Sequence, residues 1–544
     1  MVLKVLNFSS TIPVISIQLA DTGQMAGRVT PAQAQLLGRG PNMPAVMCTC
    51  GATPDGVDYD DLAVRLRVRG SSSARLYAKK SFALRTLDQS ANLSTAEDNK
   101  VGLLGFPREH NWVLHGPEND RTLGMRNWLA YNMGRQMGRY ASRTRYFELF
   151  LNTEPNTPLS MNHYWGVYML QEPVTRDKHR VPIAKYDPAV DPSGGFMFAY
   201  ENDNIDIGSD PVFIQRLTQL VMVVDYPNNA DQQTVAWLSR WMNAFEAALL
   251  ARGTANMTGL LDVPAAADYF LATEVTKNPD GYRGSVKLHK DRAGPLVIGP
   301  LWDYNEAFGM CCGFPIEGFQ QLGSSNGTSG GSAISAAGWR FNVCQDRGRC
   351  KVDPLDGISQ WYRRLWQDPL FRNYTAARWQ QLRAPGGNLT NEWFAGQIAE
   401  LKQLLHEPAS RNYQRWSNAL NRPAYGRAYP TWQAMFDSET SQLQQWTIAR
   451  LRWMDAALAA QANVTAPADA YLGIGYVQPE PPVAGGANAD DDQVQEHAKA
   501  AANGVNAAHT AAVAAAAGVD AGVAAAGTAP APQVVAVSGQ LGKR

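Results

Sequence analysis

KNPDGYRGSVKLHKDRAGPLVIGPLWDYNEAFG, residues 277–309, reads as a helix end, a tight turn, a β-hairpin and a second acidic turn. The segment leading into it, DYFLATEVTKN, is apolar at helical spacing and stops at Asp280, between the turn formers Pro279 and Gly281. Val286 and Leu288, then Val297, Ile298 and Leu301, mark two short strands joined through Asp291–Gly294. One aspartate, Asp280, thus precedes the hairpin, and another, Asp303, follows it. Either alone is as readily a local hydrogen-bond cap, so the pair needs support from elsewhere in the chain.

A carboxylate before such a hairpin and another just after it is the layout of protein kinases. There the first aspartate orients the hydroxyl nucleophile and the second holds the metal on the ATP phosphates. Kinase catalytic loops also carry a polar metal ligand at the fifth position after the first aspartate. That position is Ser285 here, and no H-R-D, D-F-G or A-P-E string occurs.

Working outward, SSTIPVISIQ (9–18), VRLRVRGSSS (64–73), KKSFALRT (79–86) and NWVLHGPENDRTLGMRNWLAYNMGRQMG (111–138) come in that order. YFELFLN (146–152) and YWGVYMLQEPV (164–174) follow, then KNPDGYRGS and GPLWDYNEAFG. In order and spacing these segments resemble the spore-coat CotH kinase family over roughly residues 9–460. The resemblance implies an α+β, remote two-lobed protein-kinase-like fold, with a β-rich N-terminal part and a helical C-terminal lobe. It also implies an ATP- and Mg²⁺- (or Mn²⁺-) dependent kinase phosphorylating Ser or Thr of secreted or surface proteins.

Each position has its own chemistry. In AVRLRVRG the side chains alternate, so Arg65, Arg67 and Arg69 share one strand face and Val64, Leu66 and Val68 the other. Guanidiniums so arrayed suit acidic or phosphate partners, or simply a solvated face. Gly70, Ser71, Ser72 and Ser73 follow as a candidate phosphate-covering loop. Lys79 and Lys80 open the next strand, and either is a candidate for the kinase lysine on the phosphates. The segment Leu123–Gly138 reads as an amphipathic helix in the position of the kinase αC, yet it contains no glutamate. A carboxylate partner for the lysine is then expected from Glu172, or else Glu148. Asp303, Asn305 and Ser285 are the expected metal ligands. Spore-coat members carry an aspartate where Asn305 stands, whereas D-x-N accompanies K-N-x-D-G-Y-R in other members; an amide oxygen ligates Mg²⁺ without adding charge.

Composition bounds the rest. Lys+Arg of 49 against Asp+Glu of 49 leaves no formal charge, which speaks against a nucleic-acid or anionic-membrane partner. No run is apolar enough to span a bilayer. Four of the six cysteines (Cys311, Cys312, Cys344, Cys350) crowd the segment after WDYNEAFG, which favours disulfides over a zinc site lacking C-x-x-C or histidine; Cys48 and Cys50 lie apart. Sequons at Asn7, Asn92, Asn256, Asn326, Asn373, Asn388 and Asn463 agree with a secretory route, although MVLKVLNFSSTIPV is no signal peptide and reads as a truncated or mis-assigned start. The expected organisation is a β-rich part with the phosphate loop at 9–105, a core and helical lobe at 106–470, a Gly/Ser-rich loop near 313–340, and a disordered Ala-rich tail at 478–544. The aromatic stripe Trp237, Trp241 and Phe245 in the helix 231–253 is expected in the core. The expected partner is a Ser/Thr-bearing protein, met by a monomer. The alternative reading is a surface adhesion or structural protein that keeps the fold without phosphotransfer. A carbohydrate hydrolase using Asp280 and Asp303 ranks behind both.

Overall fold

A computed structural model describes residues 8–20, 42–51, 57–70, 73–74, 77–89, 93, 95–154, 156–201, 210–252, 257, 259–310, 335–341, 357–417 and 429–461. The expected tail, most of the Gly/Ser-rich loop, Cys311, Cys312, Cys344 and Cys350 lie outside them, as do Asn7, Asn92, Asn256, Asn326 and Asn463.

Seven strands come first: β1 (Val14–Leu19), β2 (Met43–Cys50), β3 (Leu62–Arg69), β4 (Ser81–Thr86), β5 (Asn111–His115), β6 (Thr144–Asn152) and β7 (Tyr164–Gln171). They close in the order β1-β2-β3-β4-β5-β7-β6. Closure comes from β1, which runs antiparallel to β2 and parallel to β6, with Val14 opposite Glu148. Alternation supplies the filling: Val64, Leu66 and Val68 point inward with Ile15, Ile17, Phe82, Leu84, Leu149 and Leu170, while Arg65, Arg67 and Arg69 stay half-buried on the other face. The chain is α+β as expected, but its β-rich part is a closed barrel reaching Gln171, in place of the two-lobed kinase form. A closed barrel leaves no free sheet edge, and the pairing that closes this one joins strands far apart in sequence.

Helix α1 (Met125–Gln136) lies between β5 and β6 in the chain. It is buried on nearly every side, Arg126 and Asn127 included, and so is a packed central helix in place of the expected amphipathic one.

A second, antiparallel sheet follows. Its strands β8 (Phe196–Tyr200), β9 (Val212–Ile214), β10 (Val221–Tyr226), β11 (Val286–Lys290) and β12 (Leu296–Ile298) lie in the order β12-β11-β8-β10-β9. Helices α2 (Gln232–Arg252) and α3 (Val263–Thr276) are inserted between β10 and β11. The expected β11–β12 hairpin is present, with Leu288 opposite Ile298. On α2, Trp241 and Phe245 are buried and stack at 6.2 Å, so the aromatic stripe is core.

Four helices complete the described chain: α4 (Ser359–Gln367), α5 (Pro369–Arg383), α6 (Asn391–Arg415) and α7 (Trp432–Ala459). Asp368, Thr390 and Thr431 cap α5, α6 and α7 by accepting backbone N–H bonds. Phe270 on α3 packs within 5.0–5.7 Å of Trp366, Phe341, Tyr362 and Trp339, tying α3 to α4. The barrel docks on α6 where Gly166 of β7 comes so close to Asn412 that a Cβ would lie 2.5 Å from its Oδ1.

One expected sequon is corrected by the described residues, while the cysteines expected to pair lie outside them. Cys48 and Cys50 are both free thiols. Asn373 is buried on α5, with Thr375 of its sequon fully buried, so a glycan there is incompatible with the folded chain. Among the described residues no helix is long and apolar enough to cross a membrane.

Candidate active site

A cleft of about 470 Å³ opens between the barrel and the second sheet, within the roughly 300–1,000 Å³ range of small-molecule sites. The barrel contributes Arg69 and Gly70 at the end of β3 and His115 at the end of β5. The other wall carries Asp280, Ser285, Lys287, Trp302, Asp303 and Asn305, with Glu201 and Asp225 beside them.

Asp280 owes its position to α3. The helix ends at Lys277 in the left-handed region (φ 49°), and the turn is pinned where Tyr269 Oη donates to Gly281 O at 2.7 Å. Gly281 has to be glycine, since a Cβ would lie 2.5 Å from Thr273 Cγ2. Asp303 is set from the side of α1: its N–H donates to Tyr131 Oη at 3.0 Å, and the Tyr304 N–H donates to Asn127 Oδ1 at 2.7 Å. Asn278 Nδ2 also donates to Asp303 O, at 3.1 Å, so the turn bearing Asp280 and the segment bearing Asp303 are fastened together. The helix lacking a glutamate therefore serves the site through an amide and a phenol.

Two site residues hold left-handed backbone, Ser285 at φ 54° and Asp303 at φ 62°. Such conformations persist where surrounding contacts impose them, and they concentrate at functional sites. Asp303 opens onto the cleft, yet the surrounding protein withdraws enough solvent to push its carboxyl up to about 6; Asp280 and Glu201 add to the rise, while Arg69 and Ser285 oppose it. Burial pulls the Arg69 guanidinium below its usual value, opposed by Asp303, and the group lies 5.6 Å from the centroid of the Trp302 ring. His115 is held down at about 4, by burial first and then by Arg69, and is neutral at physiological pH.

Lys287 occupies the same wall. Its Nζ donates to Glu201 Oε1 at 2.9 Å and to Asp225 Oδ2 at 3.0 Å. Burial alone would lower this lysine, but the two carboxylates outweigh it and hold its ammonium above the ordinary value. Lys287 on β11 and Ser285 just before that strand both reach Glu201, the Ser285 hydroxyl donating to Glu201 Oε2 at 3.4 Å.

The remaining candidates lie elsewhere. Lys79 Nζ donates to Val167 O at 2.5 Å and Asn412 Oδ1 at 2.7 Å, buried between barrel and α6. Lys80 Nζ donates to Ala74 O at 2.7 Å and Tyr77 O at 2.5 Å. Neither lysine lines the cleft. The carboxylate beside them is Glu118, which accepts from the Lys79 N–H at 2.5 Å. Glu172 is buried against Arg143 (2.7 Å) and Arg180 (3.5 Å), and Glu148 against Arg411 (2.5 Å). Ser72 lies outside the described residues.

Burial depresses the Lys79 ammonium to about 7, with Glu118 opposing the shift. Between that value and the ordinary 10.5, the unfolded chain binds a proton that the folded chain does not, so Lys79's contribution to stability rises with pH across this window. Relative to Lys79→Met, the wild type is expected to gain on the order of 1 kcal/mol per pH unit from pH 7 to about 10. Denaturant unfolding of both proteins across that range checks it, and parallel pH profiles would show that Lys79 keeps its charge in the fold.

The barrel and the second wall thus bring Arg69, Gly70, Asp280, Ser285, Asp303 and Asn305 to one cleft, and add Lys287, Glu201, Asp225, Tyr131 and Asn127, which the sequence motifs did not single out. A search of curated proteins finds no match to the chain. A family profile described as CotH kinase protein matches residues 66–454, more than half of the sequence. On that match, the chain belongs to the CotH kinase family.

Proposed function

We propose that this chain is an ATP- and divalent-metal-dependent protein kinase acting on Ser or Thr hydroxyls of secreted or cell-surface proteins. The observation that carries the proposal is that Asp280 and Asp303, borne on two separate segments, face one cleft closely enough for the charge of one to raise the carboxyl of the other. Two carboxylates in dissimilar surroundings divide naturally into a proton acceptor and a cation holder.

In this reading Asp280 orients the acceptor hydroxyl and takes its proton. The acceptor oxygen bonds to the γ-phosphorus, the bond from that phosphorus to the β–γ bridging oxygen breaks, and ADP leaves. Arg69 lies along the phosphates, next to Gly70. Gly70 sits at φ 106°, and a Cβ there would lie 2.1 Å from Ser73 Oγ, so this position needs glycine. Tyr131 and Asn127 hold the Asp303 segment in place.

The oxygen donors of Asp303, Asn305 and Ser285 suit Mg²⁺ or Mn²⁺. Mg²⁺ bound through few protein ligands keeps water and substrate phosphates in its remaining positions. Held by Asp303, Asn305 and Ser285, the ion supplies charge neutralisation for the phosphoryl oxygens. Secretion and a monomeric state complete the proposal, together with the absence of nucleic-acid and membrane partners, which the zero formal charge supports.

The test is Mg²⁺- or Mn²⁺-dependent incorporation of labelled γ-phosphate into a generic acceptor or the chain itself, with Asp280→Asn beside the wild type. Incorporation is expected to fall by about 10²–10⁴-fold in the variant. It is also expected to decline as the pH drops through about 6, because a protonated Asp303 no longer attracts the cation. No incorporation with either metal, together with no nucleotide-induced rise in melting temperature, would leave the second reading, a kinase-like surface protein without phosphotransfer.

A further inference from the structure

We propose that Lys287, clamped between Glu201 and Asp225, is the lysine that contacts the nucleotide's phosphates, in place of Lys79 or Lys80. The inference rests on the kinase reading above and deepens it.

Three observations carry it. First, the ammoniums of Lys79 and Lys80 are committed to Val167 O, Asn412 Oδ1, Ala74 O and Tyr77 O, and neither side chain lines the cleft. Second, Lys287 does line the cleft, on the same wall as Asp280 and Asp303. Among the described residues its ammonium donates to Glu201 and Asp225, which uses two of its three N–H groups and leaves one for a ligand. Third, the cleft carries Asp280, Asp303, Glu306, Glu201 and Asp225 against the cations Arg69 and Lys287, so a polyphosphate needs both cations as well as any metal.

The topology explains the clamp. Strand β8 lies between β11 and β10, with Tyr200 opposite Val286 on one side and Met222 on the other. Glu201 follows directly on β8 and meets Lys287 from β11, while Asp225 from β10 reaches the same ammonium. The lysine–carboxylate pair that kinases build between a strand and the αC helix is here built within one sheet. It also explains how α1 serves the site without a glutamate. Ser285, at the position of the kinase amide ligand, donates to Glu201 Oε2 at 3.4 Å, so the clamp is continuous with the expected metal-binding segment.

The experiment measures ATP, ADP and adenosine affinities in Mg²⁺ by calorimetry for the wild type, Lys287→Met and Lys287→Arg. Lys287→Met is expected to weaken ATP by roughly 10- to 100-fold, the loss of a charged hydrogen bond, and to leave adenosine within about twofold. Lys287→Arg, which keeps the charge and the clamp, is expected to restore most of the ATP affinity. A second construction, Lys287→Met with Glu201→Gln and Asp225→Asn, removes the carboxylates that the single change leaves unpaired and keeps the comparison open if that change impairs folding. Unchanged ATP affinity in both Met variants overturns the role of Lys287 while the kinase reading stands. Equal weakening of ATP and adenosine assigns Lys287 a purely structural part and also overturns it. Failure of the wild type to bind ATP sinks the kinase reading itself.

Discussion

Asp303→Asn is expected to lower metal-dependent γ-phosphate transfer on the order of 10³-fold while leaving the melting temperature of the nucleotide-free protein unchanged or higher. The activity loss follows from the site's chemistry, since Asp303 is the carboxylate among the three oxygen donors proposed for the cation. The stability statement follows from linkage. The Asp303 carboxyl is raised from its ordinary 3.8 to about 6, by burial first and then by Asp280. Between these values the folded protein binds the extra proton. The group's contribution is therefore fully present below about 4 and is lost as pH rises through about 6. At neutral pH the ionised carboxylate burdens the fold, and the amide removes that burden.

Asparagine is also the right substitution for the backbone. Asp303 holds φ 62°, a conformation that Asn accepts as readily as Asp and that Ala adopts at a penalty, so an Ala variant would mix strain with lost chemistry. Thermal unfolding with and without Mg²⁺ and ATP completes the test: the wild type is expected to gain stability on binding, and the variant to gain little. A variant that still transfers phosphate at wild-type rate would remove Asp303 from the mechanism. A large drop in melting temperature would show that the carboxylate mainly supports the fold.

What the sequence revealed, and what it hid, divides along the range of the interactions. Asp280, the β11–β12 hairpin and Asp303 were legible because turn residues and period-2 alternation are local signals. The outward arginine face of β3 was legible for the same reason. Barrel closure was not, because no local pattern announces that Val14 will pair with Glu148 in a parallel register. The two adjacent lysines drew attention as a motif, but their fate depends on Val167 and Asn412, far away in the chain. Lys287 was passed over although it lies two residues after Ser285, inside the opening segment. Its partners Glu201 and Asp225 were out of reach, since only the strand order of the second sheet brings them together. Likewise α1 was read for a glutamate it lacks, while Asn127 and Tyr131 act through backbone contacts that sequence does not encode locally.

The largest effect on stability is expected at Arg450→Met, which should destabilise the fold by about 3–5 kcal/mol, a large share of the roughly 5–15 kcal/mol by which domains are stable. Arg450 on α7 is fully buried, and burial draws its guanidinium down to about 10, so it remains charged at neutral pH. Its Nη2 meets Glu274 Oε2 at 3.0 Å, its Nε donates to Glu274 O at 2.7 Å, and its Nη1 donates to Ala336 O at 3.0 Å and Gly338 O at 2.6 Å. Glu274, equally buried on α3, also accepts from Tyr282 Oη at 3.0 Å and from the N–H groups of Arg340 and Phe341 at 2.7 and 3.0 Å. Methionine fills much of the volume but leaves a buried carboxylate without its counter-charge and several carbonyls without donors. Adding Glu274→Gln removes the stranded charge, so the double variant is expected to recover a substantial part of the loss in denaturant unfolding. If the double variant is no more stable than Arg450→Met, the lost carbonyl bonds and packing dominate, and charge pairing is not what holds α7 to α3. Because Tyr282 sits two residues after Asp280, the single variant is also expected to loosen the turn that presents Asp280, lowering transfer activity even at temperatures where the protein remains folded.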